Sequence, residues 1–220
     1  LILWYHMITV YILSGKDIRA EMLSKLKPRI QQTFSPVALA VGRAGVKPNH
    51  LSIAGLIAGI LAAACIAFKL RLIGASLLMI SGALDIFDGL LARSLRELQS
   101  EFGGFLDSMA DRYVDIMIFI SLGLYGVNWI LILLAMSGAL LVSYARARAE
   151  MIIDKCDIGV AERGERIIVL LFGLVSGHIT LSLVIIAIFS HLTALQRIAF
   201  TYRQCKILHR QEVHREDSLS

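Results

Sequence analysis

The chain predicts an all-α integral membrane protein, with six transmembrane helices preceded by an N-terminal amphipathic interfacial helix. Three observations carry this. The 220 residues are 57% hydrophobic with a mean hydropathy of +0.71, more than a soluble domain of this length needs. Six apolar segments can be drawn, at about 51–68, 72–95, 103–126, 128–148, 165–177 and 179–197, each to be weighed against the roughly 20 apolar residues that span hydrocarbon. With both termini on the cytoplasmic side, the outer loops hold only Lys69 and Arg71 of the 22 Lys and Arg in the chain, which satisfies the positive-inside rule.

Residues 1–21 read as an extension or a start-site artefact, since Met7 and Met22 are alternative first residues; no cleavable signal peptide is expected. From Met22 to Val46, Leu23, Leu26, Ile30, Phe34, Val37 and Val41 recur at helical spacing, interleaved with Lys25, Lys27, Arg29 and Arg43. That pattern predicts an interfacial helix broken near Pro28 or Pro36, the alternative being a disordered basic leader. Lys47-Pro48-Asn49-His50-Leu51-Ser52 marks a turn and a helix start, with Asn49 or Ser52 as the cap. The fifth apolar segment is short, and Ser176-Gly177-His178 is the turn that ends it. The core domain is therefore 22–200, and 201–220 is a loose, polar cytoplasmic tail.

Cys65, Cys156 and Cys205 are odd in number and lack ligand spacing, so reduced, structural thiols are expected. No internal repeat or nucleic-acid motif is present. The basic residues are accounted for by topology and anionic lipid headgroups rather than by DNA or RNA.

Chemistry is concentrated in two segments. Asp85-Ile86-Phe87-Asp88-Gly89-Leu90-Leu91-Ala92-Arg93 is followed by Gly103-Gly104-Phe105-Leu106-Asp107-Ser108-Met109-Ala110-Asp111, each flanked by apolar runs. A carboxylate within a bilayer costs roughly 2.5–3.5 kcal/mol, and four together repel one another. Divalent cations resolve both problems. Asp85 and Asp88 are i, i+3 and Asp107 and Asp111 are i, i+4, so each pair shares a helix face. If the second and third spans form a hairpin turning near Leu98, the pairs meet at matching depth on antiparallel helices, roughly 10–15 Å inside the cytoplasmic end. An all-oxygen cluster suits Mg²⁺ or Mn²⁺ rather than zinc, and four carboxylates can hold two ions about 3.5–4 Å apart for phosphoryl chemistry. Gly89 and Ala92 leave a small face for a ligand, and Arg93 can fork onto a phosphate. Arg112 reads as a neutralising partner of an acid. Asp115, one turn beyond Asp111, either extends the cluster or serves a structural role.

These residues fill the signature Asp-x2-Asp-Gly-x2-Ala-Arg, a spacer of nine, then Gly-x3-Asp-x3-Asp. At every signature position the chain resembles the CDP-alcohol phosphotransferase family, over about 22–200. The resemblance implies a CDP-lipid held by its pyrophosphate through two metal ions. An alcohol would attack the lipid-side phosphorus and CMP would leave. Asp85, Asp88 and Asp107 would be the principal metal ligands, with Asp111 near the metals and acting as general base. Gly89, Ala92 and Arg93 would contact the CDP portion together with Asp88. Asn49 matches a family position near the nucleotide, and Ser52 is a second candidate. Family members are commonly homodimers in the cell membrane, and Gly55-x3-Gly59 can pack helices within or between subunits.

Beyond the signature come Ser143-Tyr144-Ala145-Arg146-Ala147-Arg148, Glu162-Arg163-Gly164-Glu165-Arg166 and Gln196-Arg197. As residues, the arginines are either topological anchors or a site for an acceptor with its own phosphate. Asp107-Ser108, Asp111-Arg112 and these basic patterns resemble the inositol-phosphate branch of the family; glycerol-phosphate users more often show Asp-Pro and Asp-Lys. By that resemblance, Ser143, Arg146, Arg148, Arg166 and Arg197 would hold the phosphate of myo-inositol 1-phosphate. The chain departs from the pattern at Arg146, where bacterial relatives carry Lys, and at Gly164, where Pro is frequent. The donor is CDP-diacylglycerol or CDP-archaeol. The rival acceptor is glycerol 3-phosphate. A cation transporter using the aspartates as an ion path is the rival from another class, disfavoured because no inverted repeat is visible.

Overall fold

The structure, a computed structural model, describes residues 48–94 and 100–217, with side chains described over 48–91 and 100–208. The expected leader at 22–46 and the extension before it lie outside the described residues. Six helices follow in order: α1 (Pro48–Ala67), α2 (Arg71–Ser94), α3 (Glu101–Tyr125), α4 (Trp129–Ala149), α5 (Arg163–Ser176) and α6 (Ile179–Asp217). Among the described residues there is no strand. Four segments are long and apolar enough to cross a membrane: α1, Arg71–Leu91 of α2, α4 and Ile179–Leu208 of α6. The remaining two, α3 and α5, are set apart by charge and by length. α3 bears Asp107, Asp111, Arg112 and Asp115 in its first half, and α5 is only 14 residues long.

The helix boundaries follow from local chemistry. α1 opens on Pro48, whose fixed φ and missing N–H suit a first helical position. Ser52 is therefore inside the helix and not its cap: its hydroxyl reaches back to the Pro48 carbonyl at 3.3 Å. Ser100 caps α3, its Oγ accepting from Gly103 N at 2.9 Å. Asn128 caps α4 through Ile130 N and Leu131 N. Gly177, at φ +84, closes α5 in the left-handed region. There Arg71 donates to the Leu174 carbonyl at 2.7 Å, so this outer arginine caps a helix end. α6 continues as helix past Tyr202 to Asp217, where a loose tail was expected.

α1 is the centre of the arrangement. Ser52, Gly55, Ala58, Gly59, Ala62, Ala63 and Ile66 form its buried face, small enough for two helices to approach closely. α2 and α3, expected as a hairpin, each pack mainly on α1, with Asp85 of α2 still meeting Asp107 and Asp111 of α3. A side chain on Gly55 would touch Leu84 and Ser81 of α2, and one on Gly59 would collide with Val114 of α3. These two glycines thus pack helices within the chain. α4 lies against α6, and α5 bridges α2 and α6. The main core joins Ile66, Leu78, Ile118, Leu122, Ile132, Leu174 and Leu183.

The 150–162 connection is pinned rather than loose. Thr193 Oγ1 accepts from both Val160 N and Ala161 N at 3.1 Å. Arg197, 2% exposed, donates to the Ile158 carbonyl at 2.9 Å and the Val142 carbonyl at 2.7 Å. Cys156 packs beneath with Ala149 and Ile153, and burial pushes its thiol pKa up, as suits a neutral packing group. All three cysteines, Cys65, Cys156 and Cys205, are free thiols.

Candidate functional site

The carboxylates converge because α2 and α3 both pack closely on the small-residue face of α1. Asp85, Asp107 and Asp111 each offer an oxygen, all within 4.8 Å of one another. Asp88 is buried, and its Oδ2 accepts from Ser52 Oγ at 2.7 Å. All four acids, with Ser52, line one small cavity of about 10 Å³ between α1, α2 and α3, room for roughly a single water or ion. The donor set is all oxygen and dianionic or more, which fits a hard divalent cation. The cluster also draws a cation from the protein: Arg163 Nη1 lies 2.5 Å from Asp85 Oδ2 and 2.7 Å from Asp111 Oδ1.

Beside the acids opens a second cavity of about 400 Å³, lined among others by Ser143, Arg146, Arg163, Arg166 and Arg197 and by Asp111 and Asp115. Asp111 and Arg163 line both cavities, so they form the wall between the acid cluster and the basic one. This juxtaposition places a carboxylate within reach of anything held by the arginines.

Of the sequence-predicted residues, most are gathered here. Asn49 sits over α3, where a side chain on Gly103 would press on its Oδ1. Ser143 Oγ lies 3.5 Å from the Ala139 carbonyl. Arg146 binds Glu150 at 2.9 Å and Asp157 at 2.6 Å, and Arg166 binds the Ala161 carbonyl and Asp115, both at 2.9 Å. Arg197, besides its two carbonyls, reaches Glu162 at 3.3 Å. Arg148 is not brought in: it is exposed and turned toward Met151, outside the cavity lining. Positions two apart on a helix diverge, and Arg146 took the inward one. Gly89 follows Asp88 on α2, while Ala92 and Arg93 stand in its last turn with side chains outside the described residues.

Two residues count for more than the sequence showed. Among the described residues, Arg163 is the cation nearest the acids, and Asp115 is the partner of two arginines. The signal was present for Arg163, since it precedes Arg166 by three positions and so shares its helix face. Ser52, expected near the nucleotide, donates its hydroxyl to Asp88.

Comparison with known proteins places this geometry in context. Residues 46–202 match the model of the CDP-alcohol phosphatidyltransferase family. The chain is 34% identical over 197 residues to the archaetidylinositol phosphate synthase of Methanothermobacter thermautotrophicus, covering 86% of this chain and 99% of that one. Its fold matches the crystal structure of Mycobacterium tuberculosis phosphatidylinositol phosphate synthase with CDP-DAG bound, at a TM-score of 0.68 and 26% identity, covering 78% of this chain and 94% of the other. The same enzyme in complex with manganese and citrate matches at a TM-score of 0.67 and 26% identity, covering 76% and 88%.

Proposed function

This chain belongs to the CDP-alcohol phosphatidyltransferase family, and from that premise we propose that it joins a CDP-activated lipid to myo-inositol 1-phosphate and releases CMP. The observation that carries the reading is the shared wall: Asp111 and Arg163 border both the four-aspartate cavity and the arginine-lined one. The donor, CDP-archaeol or CDP-diacylglycerol, lies with its pyrophosphate toward Asp85, Asp88, Asp107 and Asp111, and its cytidine side toward Asn49, Gly89, Ala92 and Arg93. Asp85, Asp88, Asp107 and Asp111 would hold the divalent cations, two Mg²⁺ or Mn²⁺ in this reading, which when bound would neutralise charge on the pyrophosphate and the departing CMP.

The chain's own groups do the rest. Arg146, Arg166 and Arg197, with Ser143, hold the acceptor's phosphate, and Arg163 joins them from the wall. This orients the inositol hydroxyl toward the lipid-side phosphorus. Asp111 takes the hydroxyl proton as the new P–O bond forms and the bond to CMP breaks. Arg148, turned outward, serves lipid headgroups instead. The reading includes six spans, with α3 and α5 crossing inside the bundle, as well as a homodimer in the cell membrane. Termini and site face the cytoplasm, an orientation supported by the placement of Lys69 and Arg71 alone on the outer side.

The test is CMP release by purified protein with a CDP-lipid and Mg²⁺ or Mn²⁺, comparing inositol 1-phosphate, glycerol 3-phosphate, inositol and serine, with EDTA controls. EDTA-sensitive release with inositol 1-phosphate alone is the expected result. Release with glycerol 3-phosphate instead would keep the metal site and replace the acceptor, and metal-dependent ion flux without CMP release would return the transporter reading.

A further inference from the structure

We propose that Asp115 is a positioning residue of the acceptor site, holding Arg163 and Arg166 in the orientation in which they meet the acceptor's phosphate; the proposal rests on the acceptor-site reading above. Asp115 lies on α3 one turn beyond Asp111, largely buried. Its two oxygens face different arginines. Oδ2 accepts from Arg166 Nη2 at 2.9 Å, and Oδ1 lies 3.6 Å from Arg163 Nε. Arg163 and Arg166 stand on one face of the first turn of α5, with side chains 16% and 6% exposed.

Two guanidinium groups that border the same carboxylate repel each other. A carboxylate between them offsets the repulsion, holding Arg166 by a charge-assisted hydrogen bond and Arg163 by charge across 3.6 Å. On its own, a negative group on the wall of an anion cavity weakens anion binding. Its place there is explained if it acts through the arginines. The other contacts complete the frame: Arg166 Nη1 is held by the Ala161 carbonyl, and Arg163 Nη1 by Asp85 and Asp111. Asp115 thus ties the basic cavity to the acid cluster. It is not one of the three residues whose oxygens converge as a metal-ligand set.

The experiment compares Asp115→Asn and Asp115→Glu with wild type as full-length protein. It measures KM for CDP-lipid and for the phosphorylated alcohol that wild type uses, Mn²⁺ affinity by electron paramagnetic resonance, inorganic phosphate affinity by calorimetry, and the thermal midpoint. For Asp115→Asn, the acceptor KM and the phosphate Kd are expected to rise about tenfold, the worth of one charge-assisted hydrogen bond. CDP-lipid KM and Mn²⁺ affinity should stay within about twofold, and Asp115→Glu should recover part of the loss. Unchanged acceptor KM and phosphate Kd would overturn the proposal. So would a selective loss of Mn²⁺ affinity, which would make Asp115 a metal ligand, or a uniform loss of every parameter with a lowered midpoint, which would make it purely structural. If wild type prefers an alcohol without a phosphate, the acceptor reading fails separately, and the phosphate titration still decides the role of Asp115.

Discussion

Ser52 on α1 donates its hydroxyl to Asp88 Oδ2 on α2 at 2.7 Å, across 36 positions of sequence. The bond gives a buried carboxylate a donor at the edge of the small cavity that it lines with Asp85, Asp107 and Asp111. Removing the donor leaves Asp88 free to rotate and poorly solvated. Ser52→Ala should therefore weaken Mn²⁺ binding by about 10- to 100-fold, the usual effect of losing a partner behind a metal ligand. A Mn²⁺ titration followed by electron paramagnetic resonance checks this; an unchanged affinity would leave Ser52 with the nucleotide role that its sequence position first indicated.

Asp111→Asn keeps the shape of the residue but removes its capacity to take a proton. Turnover should fall by at least about 10²- to 10⁴-fold, while CDP-lipid binding stays largely intact. Single-turnover CMP release alongside an equilibrium binding measurement separates the two. Loss of lipid binding as the main effect would move Asp111 from base to ligand.

Arg197 is 2% exposed and gives N–H groups to Val142, Ile158 and Glu162. Arg197→Ala leaves those oxygens without a donor and loosens the 150–162 connection, at a cost of about 2–4 kcal/mol. The thermal midpoint in detergent should drop, and the acceptor KM should rise with it because Arg166 takes the Ala161 carbonyl of the same connection. A raised KM at an unchanged midpoint would show that Arg197 meets the phosphate without bracing the loop.

Divalent cations should stabilise the folded protein. At 100 times its Kd, Mn²⁺ adds about 2.7 kcal/mol to stability, so the thermal midpoint should rise with Mn²⁺ and fall back with EDTA. The Asp85→Asn and Asp107→Asn variants should show a much smaller rise. A midpoint indifferent to Mn²⁺ in wild type would remove the cluster as a metal site.

Much of the site was readable because its parts are local. Asp85 with Asp88, and Asp107 with Asp111, lie on common faces by helical spacing alone, and their apolar flanks mark the cost of leaving them unpaired. The inward Arg146 and outward Arg148 illustrate the limit. Spacing says that they diverge, but not which one faces the cavity. The acids of α2 and α3 meet as the hairpin reading expected, but spacing did not say that both helices would take their main packing from a third, α1.

By itself, the sequence determined the helical segments, the uneven placement of Lys and Arg among the connections, and the four acids, whose oxygen donors suit a hard cation. These depend on composition and on periodicity within one helix. Only the tertiary structure decided that Ser52 serves Asp88, that Arg163 meets Asp85 and Asp111, that Arg146 rather than Arg148 lines the cavity, and that Asp115 joins two arginines. Each is a contact between helices, set by the rotation and separation that the small face of α1 imposes on its neighbours. A shift of one residue in packing would exchange these partners without altering any local pattern.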